Sequence, residues 1–320
     1  VPAPERTALQ KELLKESKQF SYKKLVELVA HYYQKPEREY QYLAIDLATV
    51  NVKRLSFDEM LGFKPFVIEK AWWDSVDSWH KQPLESTREA LQALRRQGHL
   101  VTVATGRSRF MAQDIIMDLD FSNYVLCNGA AAFLDHEQYF QNLLDQDELH
   151  RFASEVEKRE IGLAYVGLDD VKKNNHHRRE QMAEAMRTIN FEVPEYDTNF
   201  QKENDIYQAL AFYDASLEGM FDHEFSSFRF IRWHAESVDI VPKGGSKAAT
   251  LLNLADRVGI ERENIITFGD GENDREMLRE AGIGVAMGNA LPHIQKEAKF
   301  VTDTNDNNGI WKALKELKAI

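Results

Sequence analysis

Ile266-Thr-Phe-Gly-Asp-Gly-Glu-Asn-Asp274 decides how this chain is read. Its opening residues are apolar or β-branched, as a short buried strand requires, and the chain then turns abruptly polar. Asp270, Asn273 and Asp274 crowd into the turn that follows. Oxygen-bearing side chains at a strand terminus suit Mg2+, a hard cation that prefers carboxylates and water. An Asx-rich turn capping the next helix would use the same residues. Either way the string is a strand-to-loop junction.

Other junctions of this kind flank it. Leu100–Ala104, Tyr124–Leu126 and Gly284–Ala286 are short apolar runs, each leading into a loop rich in Gly, Asn or Asp. Helical spacing separates them, and Ser86-Thr-Arg-Glu89 reads as a capping box opening the first of these helices, which ends at Gly98. Strands alternating with helices predict an α/β fold with a parallel sheet, whose ligands gather beyond the carboxyl ends of the strands. Two more junctions carry chemistry. Val103-Ala-Thr-Gly-Arg107 offers the Thr105 hydroxyl and the backbone N–H groups around Gly106 and Arg107 to phosphate oxygens, or makes an ordinary strand-to-helix turn. Val241-Pro-Lys-Gly-Gly-Ser-Lys247 starts a helix, with Lys247 as a fixed positive charge or a solvated surface residue.

These three strings, in this order, resemble the haloacid dehalogenase (HAD) superfamily, and more closely its Cof-type phosphatases. Leu126-Cys-Asn-Gly-Ala130, Gly284-Val-Ala-Met-Gly-Asn289 and Val301-Thr-Asp-Thr-Asn305 are similar to that subgroup as well. The resemblance implies a HAD-like Rossmannoid core over residues 83–134 and 239–320 with an inserted α/β cap at 135–238. It implies a small phosphorylated metabolite as substrate and Mg2+ as cofactor. Thr105, Gly106, Arg107 and Lys247 (Lys243 less so) would then bind phosphate, and Asp270 and Asp274, supported by Asn273, the metal. Asn128, Trp233 and His234 would approach the substrate from the cap side. Such enzymes attack a phosphate monoester with an aspartate, form an aspartyl-phosphate and hydrolyse it.

That aspartate belongs in an Asp-x-Asp-x-Thr string on the first strand, shortly before the helix through Thr87–Arg96, and no such string occurs. The nearest imitation, Ile45-Asp-Leu-Ala-Thr49, has Ala48 in place of the second acid and lies well upstream. Asp46 is thus either a displaced nucleophile or a solvated helix residue, and the helical spacing of Tyr40, Leu43, Ala44, Leu47 and Ala48 favours the helix. The expectation is a phosphohydrolase domain with impaired turnover.

Residues 1–82 read differently. Stripes at Leu9 and Leu13, at Leu25, Val26, Leu28, Val29 and Tyr32, and again from Tyr40 predict short amphipathic helices in series, with a fourth segment from Phe57 to Trp79. Lys35-Pro-Glu-Arg-Glu-Tyr-Gln-Tyr-Leu-Ala-Ile-Asp-Leu47 and Lys70-Ala-Trp-Trp-Asp-Ser-Val-Asp-Ser78 resemble the AlkD-type, HEAT-like DNA alkylation repair glycosylases. By that resemblance Trp73 and Asp77, which share a helix face at i, i+4, would line a lesion site. The resemblance stops near Lys81, before the helices that complete the family's site. An all-α HEAT-like fragment therefore precedes the α/β core.

Composition bounds the alternatives. The 320 residues carry a net charge of −12, which argues against a chain-wide nucleic-acid or anionic-membrane surface. Residues 1–82 hold 13 Lys/Arg and 12 Asp/Glu, the remainder 27 and 40, so only weak DNA binding is expected of the first segment. The single cysteine, Cys127, excludes an internal disulfide and suits a reducing cytosol. No run is apolar enough for a membrane span, and the first residues lack the pattern of a signal peptide, so a cytoplasmic protein is expected. A non-catalytic phospho-ligand binder and an alkylated-DNA binder remain the competing functions.

Overall fold

The computed structural model describes residues 11, 13–33, 43, 44, 47, 48, 50, 51, 54, 55, 59, 84–189 and 191–320. The chain divides into two compact units, Val1–Lys81 and Gln82–Ile320. In the first, helix α1 (Tyr22–Tyr33) buries Leu25, Val29 and Tyr33, its i, i+4, i+8 stripe. These pack with Leu43, Ala44, Leu47 and Ala48, residues that are themselves helical. A buried Asn51 amide donates to the Ser17 hydroxyl (2.8 Å) and to the Leu47 carbonyl (2.7 Å), pinning the residues together. The helical reading of the first segment therefore holds for its described part. Asp46, Trp73, Asp77 and nearly all of the expected fourth segment lie outside the described residues.

In the second unit, α2 (Glu85–Arg96), β1 (Thr102–Ala104), α3 (Arg109–Asp118) and β2 (Asn123–Leu126) alternate as expected. β3 (Ala131–Leu134) and β4 (Glu137–Gln141) then extend the sheet in the order β1-β2-β3-β4. Only β1 and β2 are parallel; β2–β3 and β3–β4 are antiparallel, so the expected parallel sheet is mixed. Their short turns allow nothing else, since parallel neighbours need a long crossover. The capping box at Ser86 is also corrected: the N-cap is Leu84, two residues earlier, the helix begins at Glu85, and the Ser86 hydroxyl is spent on Asn308 (2.7 Å).

A six-stranded sheet follows, built from β5 (Gly162–Val166), β6 (Val171–Lys173), β7 (Glu195–Tyr196), β8 (Gln208–Phe212), β9 (Phe228–His234) and β10 (Ser237–Pro242) in the order β7-β6-β5-β8-β10-β9. Helices α4 (Gln146–Lys158) and α5 (Arg179–Thr188) belong to separate hydrophobic clusters of this layer. One is an aromatic core around Phe152, Phe221, Phe225 and Phe228, with ring centroids 5.0–6.3 Å from Phe152. β4 lies within the 135–238 stretch but pairs in the first sheet, and β10 runs past its far limit.

The chain returns through α6 (Lys247–Arg257), β11 (Ile266–Gly269), α7 (Arg275–Glu280), β12 (Ile283–Ala286), β13 (Phe300–Val301) and α8 (Gly309–Glu316). β11, β12 and β13 form a third, parallel sheet. Among the described residues, β1 is an outer strand of its sheet and β11 an outer strand of the other. Leu94 of α2 belongs both to the cluster holding Val101 and Val103 and to the one holding Ile266, Phe268 and Leu314. One helix thus packs toward two sheets that are not paired to each other. The three residues of β1 are only half-buried, as are Ile266 and Phe268. No helix among the described residues is long and apolar enough to cross a membrane.

Candidate phosphate and metal site

The loops at the carboxyl ends of β1 and β11 and the start of α6 supply the candidate residues. Gly269 allows the β11 loop to fold back: a Cβ there would lie 2.5 Å from the Asp274 Cβ. The Asp274 carboxylate consequently accepts the backbone N–H groups of Asp270 and Gly271 through Oδ2, each at 3.0 Å. Its Oδ1 accepts the Lys247 ammonium at 2.7 Å, with both side chains about nine-tenths buried. Lys247 opens α6, whose N-cap Ser246 accepts the Ala249 N–H. Lys243 is exposed, so Lys247 alone of the two turns inward.

Asp270 Oδ2 accepts Asn289 Nδ2 at 2.8 Å, and Asn289 Oδ1 in turn accepts the Asn305 N–H at 3.1 Å. The Asx-turn reading and the carboxylate-cluster reading of this string thus describe one object, a turn whose acids are held by their own backbone and by neighbours.

The β1 loop is stitched to the turn between β2 and β3. Thr105 N–H donates to the Val125 carbonyl (2.9 Å), Asn128 N–H to the Thr105 carbonyl (3.1 Å), and Cys127 N–H to the Arg107 carbonyl (3.0 Å). Arg107 N–H donates to the Thr105 hydroxyl at 3.1 Å. Asn128 takes left-handed backbone angles (φ 55°, ψ 28°), which asparagine tolerates better than most residues. Its side chain bridges three elements: Nδ2 donates to Asp239 Oδ2 (2.8 Å) and Gln208 Oε1 (3.3 Å), while Oδ1 accepts Asn273 Nδ2 (2.8 Å).

Asp239 is a carboxylate inside β10. Burial pushes it up to about 7, against the opposing pull of the Asn128 amide, the Lys247 charge and the Trp233 indole. Burial likewise pushes the Cys127 thiol up, which makes it a poor nucleophile. His234 Nδ1 accepts the Glu236 N–H (3.1 Å) in the β9–β10 turn. Trp233 packs with the cap cluster of Met182, Met186 and Phe212.

Hydrogen bonds thus join Thr105, Arg107, Asn128 and Asn273 in one group and Lys247, Asp274 and Asp270 in another, the two meeting along the backbone at Asn273–Asp274, while Gly106 lies against the Asn128 amide. Sequence reasoning left out Asp239, Gln208 and a role for Asn289. An acid flanked by Val238 and Ile240 is the one signal that marked Asp239 in advance.

Residues 76–314 match the family model for haloacid dehalogenase-like hydrolases. The chain belongs to that family. Within it, the HAD domain is similar to YkrA of Bacillus subtilis, 32% identical over 233 residues, which span 73% of this chain and 90% of YkrA. The 5-amino-6-(5-phospho-D-ribitylamino)uracil phosphatase YitU of the same organism is 30% identical over 272 residues, 79% of this chain and 97% of YitU. Among solved structures, a hypothetical protein from Geobacillus kaustophilus HTA426 aligns with a TM-score of 0.70 at 34% identity, covering 75% of this chain and 93% of its own. Residues 1–100 match the family model for DNA alkylation repair enzymes. The two family matches overlap over residues 76–100.

Proposed function

We propose that the HAD domain is a Cof-type phosphohydrolase domain for small phosphate monoesters that binds Mg2+ and phosphate but turns over weakly. The observation that carries this reading is the convergence of the Thr105 loop, Lys247 and the Asp270–Asp274 loop, next to β1 and β11, which are outer strands of separate sheets. A carboxylate acting as nucleophile would have to be delivered there on an extended segment, and no such segment occurs among the described residues.

The donor set fits Mg2+. Asp270, Asp274 and Asn273 are hard oxygen donors in one turn, and Mg2+ is ordinarily held by one or two carboxylates plus water. When bound, the ion would neutralise charge on the phosphoryl group. Lys247 would hold a phosphate oxygen by exchanging part of its bond to Asp274. The Thr105 hydroxyl would turn from the Arg107 N–H to donate to a second oxygen, and the freed N–H would add a backbone donor. The relatives' phosphatase activity supports a phosphorylated small molecule as ligand.

Assay of Mg2+-dependent hydrolysis across a panel of sugar phosphates tests the reading. Weak or absent turnover with measurable phosphate binding is expected. Robust hydrolysis abolished by Asp270→Ala would overturn the impairment, and loss on Asp46→Asn as well would identify Asp46 as the nucleophile.

A second reading rests on the family match of residues 1–100: binding of alkylated DNA through Trp73 and Asp77. The full chain would then retain methylated duplex over unmethylated duplex at low salt, and Trp73→Ala would erase the preference. Equal retention of both duplexes counts against it.

A further inference from the structure

We propose that Asp239 and Asn128 form a positioning relay through which the cap sheet holds the Thr105 loop and the Asp270–Asp274 loop in one arrangement. This rests on the reading of those loops as a phosphate site. Asn128 uses both ends of its amide. The donor end goes to Asp239 and Gln208 of the cap sheet, and the acceptor end receives Asn273. Its backbone N–H donates to the Thr105 carbonyl, and a Cβ on Gly106 would lie 3.0 Å from its Oδ1, so the phosphate loop lies directly on the amide.

Rigidity enters from the cap. β10 is paired on both sides, with Asp239 opposite Leu210 of β8 and Ile231 of β9. Asp239, Gln208 and Asn128 are 8%, 3% and 1% exposed, so the bridge runs through the interior. Carboxylates are seldom buried without a bonded cation, because desolvation is expensive. Lys247, whose charge acts on Asp239, makes its hydrogen bond to Asp274 instead. An apolar residue would fill the same strand position at no such cost. What a carboxylate supplies there is a fixed acceptor for the Asn128 amide. Without it the amide keeps only its longer 3.3 Å bond to Gln208, its hold on Asn273 weakens, and the metal loop is less firmly tied to the phosphate loop.

The test uses the full chain. Hydrogen exchange of the Gly269–Asp274 amides reports the relay without ligand, and calorimetric titration of inorganic phosphate in the presence of Mg2+ reports its consequence. Asp239→Leu, which cannot accept, should raise exchange in that loop about tenfold and weaken phosphate about tenfold, with cap-sheet amides unchanged. Asp239→Asn, whose Oδ1 still accepts from Asn128, should restore both to near wild-type values. If Asp239→Leu does not fold, Asn273→Ala cuts the relay at its other end and should loosen the same loop. Unchanged exchange in the loop, or equal and chain-wide loosening by Asp239→Leu and Asp239→Asn, would overturn the relay. Absence of phosphate binding by the wild type would overturn the phosphate-site reading, and the exchange arm would still decide the relay.

Discussion

Replacing Lys247 by methionine isolates the strongest electrostatic contact of the site. Its ammonium meets Asp274 at 2.7 Å, with side-chain exposures of 6% and 10%. Removing one partner of a buried pair costs about 3–5 kcal/mol, because the other charge is left uncompensated in a poorly solvated place. Asp274 keeps two backbone N–H donors at 3.0 Å, and hydrogen bonds to an ionised acceptor are the strong ones. The lower end applies, about 3 kcal/mol. For a domain of this size that is a fall of roughly 6–12 °C in melting temperature. Thermal unfolding followed by circular dichroism in EDTA measures it. Adding Asp274→Asn to Lys247→Met removes the orphaned charge and should recover part of the loss. Added Mg2+ should stabilise Lys247→Met more than the wild type, since the cation replaces the missing positive charge. A loss below about 1 kcal/mol, or strict additivity of the two substitutions, would refute the argument that the pair is buried and coupled.

Other perturbations test separate parts of the structure. Burial raises Asp239 from its ordinary 3.8 to about 7, so the folded state binds its proton more tightly than the unfolded state does. Stability contributed by this group therefore falls as pH rises from about 4 to about 7 and stays low above that. Asp239→Asn should flatten the decline in urea midpoint across this window; a curve parallel to the wild type would contradict it. Gly129 has φ +97°, and a Cβ there would lie 2.4 Å from the Ser246 carbonyl oxygen, so Gly129→Ala should cost more than about 2 kcal/mol. Gly98, with φ +84° and open space around it, isolates the backbone strain, and Gly98→Ala should cost about 1 kcal/mol in the same urea titration. Arg109→Ala removes an exposed ion pair with Asp169, 38% and 66% exposed, and should change stability by less than about 1 kcal/mol.

The strands were legible because short apolar runs ending in Gly, Asn or Asp signal the edge of a buried sheet. Four expected runs correspond to β1, β2, β11 and β12, with ends displaced by a residue or two. Strand direction was not legible: Ala131–Leu134 is as apolar as any parallel strand, and only the three-dimensional turn makes it antiparallel. Ser86 shows how tertiary structure overrides a local motif. Its hydroxyl bonds Asn308, more than 200 positions away, and leaves the helix start uncapped. The loop residues Thr105, Lys247, Asp270 and Asp274 could be picked out because each stands in a distinctive string. Asp239 could not be given a role, since its meaning depends on a cap strand docking against Asn128, 111 positions earlier. Lys247 was already preferred to Lys243 by resemblance, and its buried partner Asp274 gives the physical reason.

Covalent labelling tests the central claim most directly. Incubating the full chain with Mg2+ and radiolabelled acetyl phosphate, quenching in acid and counting protein-bound label reports whether any aspartate becomes phosphorylated. Protein carrying no acid-stable label while still binding inorganic phosphate is the predicted result. Near-stoichiometric label, released by hydroxylamine and mapped to one aspartate, would contradict it.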